Sequence, residues 1–186
     1  MTKFVQKKSV LTKWKEVMFN PNKFFEKLPL NESYSESFKF LLMVLVSMCI
    51  LILLMLKIGL GYGFRVYVAG PLIAAVTFLA AFPLLFLNAG IICLITLLFH
   101  KKKNYLTAVK VVGYSSAPLV FLIVLFFVPP LGLFQGLNVI YFLILQTIGI
   151  HKQYKLNWIK SMLVITVPAI AYLTTYWYFM RPSWFY

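Results

Sequence analysis

The side chains that could carry chemistry in this chain are few, and their spacing sets up little. Cys49 and Cys93 fall inside apolar runs with no second ligand at metal spacing, and read as small buried residues. His100 and His151 stand at the basic ends of apolar runs, so the one chemistry they offer is a loop site shared between them for a metal or a phosphate. Ser115 and Ser116 have no histidine on a neighbouring turn to act as base. The four acids, Glu16, Glu26, Glu32 and Glu36, all precede the apolar runs, and no Asp occurs. Ionisable groups at bilayer depth mark proton relays, ion paths and intramembrane catalysis. With none in place, the chain is expected to be non-enzymatic and to use neither cofactor nor metal.

What the apolar runs do carry is uncharged polar residues and small ones. Asn88, Tyr114, Ser115, Ser116 and Gln146 are the candidates for a groove between the second, third and fourth spans described below. Gly70, Ala74, Thr77, Ala81 and Asn88 fall within roughly 60° of one another on a 3.6-residue helix, and Gly113, Ser116 and Ala117 repeat the pattern. Such stripes let another backbone approach, within the monomer, from a second copy or partner membrane protein, or from a lipid. Pro118 removes the hydrogen bond to the Tyr114 carbonyl, which Ser115 or Ser116 could re-satisfy. By helix rise from the inner ends, Asn88 and Ser116 lie at similar depth, and they are expected to pair.

The elements that must position these residues are membrane helices. The 186 residues are 62% hydrophobic with a mean hydropathy of +0.88, against roughly 45–50% apolar residues in a soluble domain. From Val66 to Phe99 no charge occurs, and the run closes on His100 and Lys101, Lys102 and Lys103. A helix from Gly70 to Phe99 would be roughly 45 Å long, against about 30 Å of hydrocarbon. One tilted or Pro83-kinked crossing is expected, beginning at Gly70 with Pro71 in the first turn, where its missing N–H is harmless. The other spans are expected at 38–58, 108–128, 133–150 and 158–180, with a tight turn at Pro129-Pro130 and an aromatic belt ending in Trp184, Phe185 and Tyr186.

Residues 1–37 form a basic cytoplasmic segment ahead of this 38–186 domain. Leu11, Trp14 and Met18 make an apolar stripe, Asn20-Pro21 stops one helix and starts another, and Phe24, Phe25 and Leu28 gather on one side. The segment suits the headgroup plane, with Trp14, Phe24 and Phe25 at the membrane surface. A basic tail without fixed structure and a helix docked on the protein's own membrane domain stay open beside it. Ser33 and Glu36 have capping-box spacing for the first span. The fold class is thus an all-α bundle of five transmembrane helices preceded by a short amphipathic helical segment.

Charge sets its orientation. The formal charge is +14, from eighteen Lys and Arg against four acids. With the N-terminus inside and the C-terminus outside, only Lys57, Arg65 and Arg181 face outward, and the other fifteen collect on the cytoplasmic side. Splitting 66–99 into a hairpin would reverse that bias. Lysines in short loops beside apolar runs point to anionic headgroups as the partner and away from nucleic acid.

Two motifs carry a resemblance. Tyr67-Val68-Ala69-Gly70-Pro71-Leu72 is similar to the Asp-Leu-Tyr-Gly-Pro-Leu motif, and Gly113-Tyr114-Ser115-Ser116-Ala117-Pro118-Leu119 to the Gly-Tyr-x-x-x-Pro motif, of the Ypt-interacting protein (Yip) membrane family. Trp14 to Phe25, with Pro21 and Phe24 in a Pro-x-x-Phe core, resembles the N-terminal segment of prokaryotic members. The resemblance implies a polytopic, non-catalytic membrane domain; eukaryotic relatives serve vesicle traffic with Rab-type GTPases. Here Val66 or Tyr67 replaces the family's acid and the N-terminal region is short and basic, which leaves a GTPase partner open. The expected location is the cytoplasmic membrane of a bacterium or archaeon, or the ER or Golgi in a eukaryote. The expected role is membrane-organising or partner-scaffolding, the alternative a small transporter or lipid scramblase using the polar groove.

Overall fold

The structure, a computed structural model, describes residues 9–28, 34–59, 64–99, 105–121 and 134–180. All regular elements among them are helical: α1 (Val10–Phe19), α2 (Pro21–Lys27), α3 (Tyr34–Gly59), α4 (Phe64–Leu98), α5 (Tyr105–Ser115), α6 (Phe134–Tyr154) and α7 (Trp158–Met180). The segments around Ser33, Lys101 to Lys103, Pro129-Pro130 and the terminal aromatic belt lie outside the described residues.

Local chemistry explains the first two helices. Ser9, in extended backbone, caps α1 by accepting the Thr12 N–H at 3.2 Å. Asn20 closes it by donating its N–H to the Glu16 carbonyl at 2.8 Å, and Pro21 opens α2 at the position where a missing N–H does no harm. The Asn20 side chain makes no cap hydrogen bond. The inward face of α1 also differs from the expected stripe: Val17 is buried, Trp14 and Met18 pack at its edge, and Leu11 turns outward.

In α3, buried Ser37, Phe40, Leu41, Val44, Leu45, Met48 and Ile52 recur at helical spacing, while Phe38, Leu42, Val46, Ile50 and Leu53 are exposed. A helix that is apolar on both its covered and its bare faces matches a lipid surround. Ser35–Leu54 and Leu79–Leu98 are each long and apolar enough to cross a membrane, with mean hydropathies of 2.6 and 2.3.

The uncharged run forms one unbroken helix, α4, which begins at Phe64 and not at Gly70. Pro71 therefore sits about two turns inside the helix and not in its first turn. The reason for its excess length is visible in its neighbours. Phe38, near the start of α3, meets Phe82 edge-on at 5.7 Å, so the α4 residues beyond Phe82 run past the end of α3. There α4 packs on α5 and α7: Tyr105 Oη donates to the Phe86 carbonyl at 3.2 Å, and Lys160 Nζ lies 5.7 Å from the Phe99 ring centre.

Helix α5 is the axis of the molecule, buried along almost its whole length and packed by α1, α3, α4 and α6. It ends at Ser115, so the expected continuous helix over 108–128 is interrupted. At the far end, Lys155 takes a left-handed conformation with φ 51° and turns the chain from α6 into α7. His151 Nδ1–H donates to the Leu156 carbonyl at 2.6 Å, and its ring stacks on Trp158 at 4.3 Å, which fixes that corner.

Candidate functional site

Tyr114 is the centre of the most heavily constrained part of the bundle. Its side chain is 0% exposed, with Phe24 of α2 and Phe40 of α3 each 4.9 Å away between ring centres at steep angles. Such tilted aromatic pairs are attractive beyond the area they bury. Lys13 of α1 donates to the Tyr114 hydroxyl at 3.3 Å and to Glu36 of α3 at 3.3 Å, and Lys39 stands 3.9 Å from the other Glu36 oxygen. Lys13 and Glu36 are largely covered, so the pair is held by a carboxylate, two ammonium groups and a phenol together. One cluster thus binds α1, α2, α3 and α5.

Beside it the Pro118 interruption is repaired from other helices. With no N–H on Pro118, the Tyr114 carbonyl takes the Ala117 N–H at 3.2 Å, and Leu119 and Phe121 continue the same tighter, three-residue pattern. The Ala117 carbonyl accepts Trp14 Nε1 at 3.2 Å, and the Pro118 carbonyl accepts Asn138 Nδ2 at 3.0 Å. Ser116 Oγ donates to the Gly113 carbonyl at 2.6 Å. The Tyr114 carbonyl freed by Pro118 is thus satisfied by the Ala117 N–H and not by the hydroxyl of Ser115 or Ser116, while Trp14 and Asn138 serve the next carbonyls of the turn.

The α1–α2 unit is docked on the protein. Phe25 is 0% exposed and rests on Gly149 of α6, where a Cβ would meet Val111 Cγ1 at 2.7 Å and the Phe25 ring at 3.1 Å. Only a glycine leaves the notch that Phe25 fills. Gln153 Nε2 donates to the Phe25 and Leu28 carbonyls at 2.6 and 3.3 Å, capping the end of α2, and Tyr141 Oη donates to the Met18 carbonyl. Lys152 pairs with Glu26 at 3.6 Å. Phe24 and Phe25, expected at the membrane surface, are therefore inside the protein, and Trp14 is half-buried with its indole N–H committed to Ala117. Aromatic rings suit a headgroup plane and a protein cleft equally well; the notch at Gly149 decides for the cleft.

A second group of polar side chains is buried without partners. Asn88 of α4 is 3% exposed and Gln146 of α6 0% exposed, and among the described residues neither amide nor the Ser115 hydroxyl finds a hydrogen-bond partner. The Asn88–Ser116 pair expected from depth does not form, because Ser116 turns back onto Gly113 and Asn88 takes no partner. A Cβ at Gly113 would lie 3.5 Å from the Ser37 carbonyl of α3, an ordinary packing distance. Gly70 and Pro71 lie in α4, with side-chain surroundings that are not described, and Lys101, Lys102, Lys103 and the His100 that the histidine site would need lie outside the described residues.

Lys13, Glu36, Gly149 and Gln153 are the residues that sequence reasoning missed. Lys13 and Glu36 lie far apart in the chain and give no local signal. An isolated glycine inside an apolar helix does give one, since its use there is close packing. At the α6 end, burial raises the Tyr154 phenol above its ordinary range and keeps it neutral.

No curated protein and no solved structure matches the chain. Residues 15–180 match the Yip1 domain, from the α1 residue after Trp14 to the end of α7. That span includes both motifs, the Gly149 notch and the Tyr114 cluster apart from Lys13, and the chain belongs to the Yip1 domain family of membrane proteins.

Proposed function

We propose that this protein is a five-span, non-enzymatic membrane scaffold, with its N-terminus and lysine-rich loops in the cytoplasm of a bacterial or archaeal cell and its C-terminus outside. Its cytoplasmic lysines face anionic headgroups, and its lipid-exposed faces receive a second copy or another membrane protein. The observation that carries the reading is the closed centre: Tyr114, Ser115, Ser116, Gln146 and Asn88 are all buried, Phe24 packs on Tyr114 and Phe25 fills the notch at Gly149. A closed centre supports holding partners at the outer faces over passing a solute through the middle. The exposed leucines Leu84, Leu87, Leu94 and Leu98 give α4 such a face.

A lipid scramblase or small transporter is the second reading, favoured by the unpartnered amides of Asn88 and Gln146, which in hydrocarbon call for a polar visitor. Reconstitution into vesicles carrying a fluorescent lipid separates the two. The scaffold leaves lipid exchange between leaflets at the protein-free rate and co-purifies with itself or a partner from mild detergent. Accelerated exchange that Asn88→Leu or Gln146→Leu abolishes would replace it with the transport reading.

A further inference from the structure

The α1–α2 unit turns one side to the bundle and leaves the other bare. Val17, Phe24, Phe25 and Leu28 face inward, while Leu11 is 72% and Phe19 70% exposed. Leu11, Lys15 and Phe19 follow one another at four-residue spacing, on a single helix face. Lys23 and Lys27 stand exposed on α2. Of the unit's two acids, Glu26 is paired with Lys152 and Glu16 is half-buried. No ion pair reaches Lys15, Lys23 or Lys27 among the described residues. Two bare apolar side chains framed by three unneutralised lysines are unfavourable against water and suit one surface chemistry, an apolar layer edged with phosphate.

We propose that this outer face is a contact for anionic lipid: Leu11 and Phe19 enter the boundary between headgroups and acyl chains, and Lys15, Lys23 and Lys27 meet lipid phosphates. The bundle makes it a preformed surface. Trp14 and Lys13 fix the rotation of α1 through Ala117, Tyr114 and Glu36, so the unit does not reorganise in order to bind. The neighbouring start of α3 carries an exposed Lys39 beside an exposed Phe38, continuing the same combination of charge and apolar area. The residues that meet lipid are then Leu11 and Phe19, in place of Phe24 and Phe25. The inference rests on the membrane reading of the chain and is independent of whether it scaffolds partners.

The test uses the full chain with Cys49→Ser and Cys93→Ser, labelled with a fluorophore at Asn22→Cys, in vesicles of phosphatidylcholine with or without phosphatidylglycerol. Both sets also carry a headgroup-spin-labelled lipid as quencher. Quenching is expected to rise when phosphatidylglycerol is present and to fall back in high salt. Each lysine near an anionic surface weights the contact by about fivefold, so Lys15→Glu/Lys23→Glu/Lys27→Glu should abolish the increment. Phe19→Ser should lower quenching in both lipid mixtures. Equal quenching in the two mixtures, or a triple variant that behaves like the parent, overturns the lipid face while leaving a chain that floats with its vesicles as a membrane protein. Shielding of the label that grows only with the protein-to-lipid ratio overturns it too, in favour of a second copy. A chain that does not enter vesicles at all contradicts the membrane reading itself.

Discussion

Two sets of buried polar side chains share one bundle and are treated oppositely. Around Tyr114, donors from α1 and α6 reach acceptors on other helices: Lys13 reaches Glu36 and Tyr114, Trp14 the Ala117 carbonyl, Asn138 the Pro118 carbonyl, and Gln153 the end of α2. At Asn88, Ser115 and Gln146 no such partners arrive. The first set connects segments distant in sequence and cannot be removed without parting them. The second joins no two helices by a hydrogen bond among the described residues. Polar burial alone is therefore a poor guide to importance; what the group connects decides it.

Substitutions should separate the two sets, most strongly at the hub. Tyr114→Ala removes a ring that touches α2 and α3 and the phenol that receives Lys13, and should lower the unfolding free energy in nanodiscs by about 3–5 kcal/mol. Thermal or denaturant unfolding reads this directly, and a loss below about 1 kcal/mol would mean that the hub is not cohesive. Lys13→Met strips Glu36 of its nearer partner and leaves Lys39 at 3.9 Å. A loss of about 2 kcal/mol is expected, less than for a fully isolated buried charge, with Lys13→Met/Glu36→Leu closer to the parent than Lys13→Met alone. Gly149→Ala places a methyl against Val111 and Phe25 and should destabilise by about 1–3 kcal/mol. At the bottom of the scale, Asn88→Leu and Gln146→Leu remove groups without partners, so stability should stay within about 1 kcal/mol of the parent or rise. A large loss from either would show a polar partner at that position and blur the contrast.

The order of these effects also measures what could be read without a fold. The all-helical class, the apolar runs and the stop-start at Asn20-Pro21 follow from local chemistry and came through in α1 and α2. Which side of α1 faces inward did not, because Leu11, Trp14 and Val17 are all apolar and only the position of the bundle picks among them. The Asn88–Ser116 pairing was built on counting rise along two continuous helices. α5 stops at Ser115 and α4 overruns α3, so equal counts do not mean facing positions. Lys13–Glu36 joins two segments through tertiary contact alone. Gly149 was within reach, as a glycine interrupting an apolar helix, yet the ring that fills its notch comes from the far end of the chain.

The N-terminal helices belong to the bundle's core and not to the lipid surface alone. Gly149→Leu tests this directly, because it fills the Phe25 notch from α6 while leaving the α1–α2 sequence, and any lipid affinity it has, intact. Amide hydrogen exchange of the full chain in nanodiscs should then show faster exchange across Val10–Lys27 with little change in α7. Unchanged protection of Val10–Lys27 in that variant would mean that lipid alone holds the segment, and the docked core described here would be wrong.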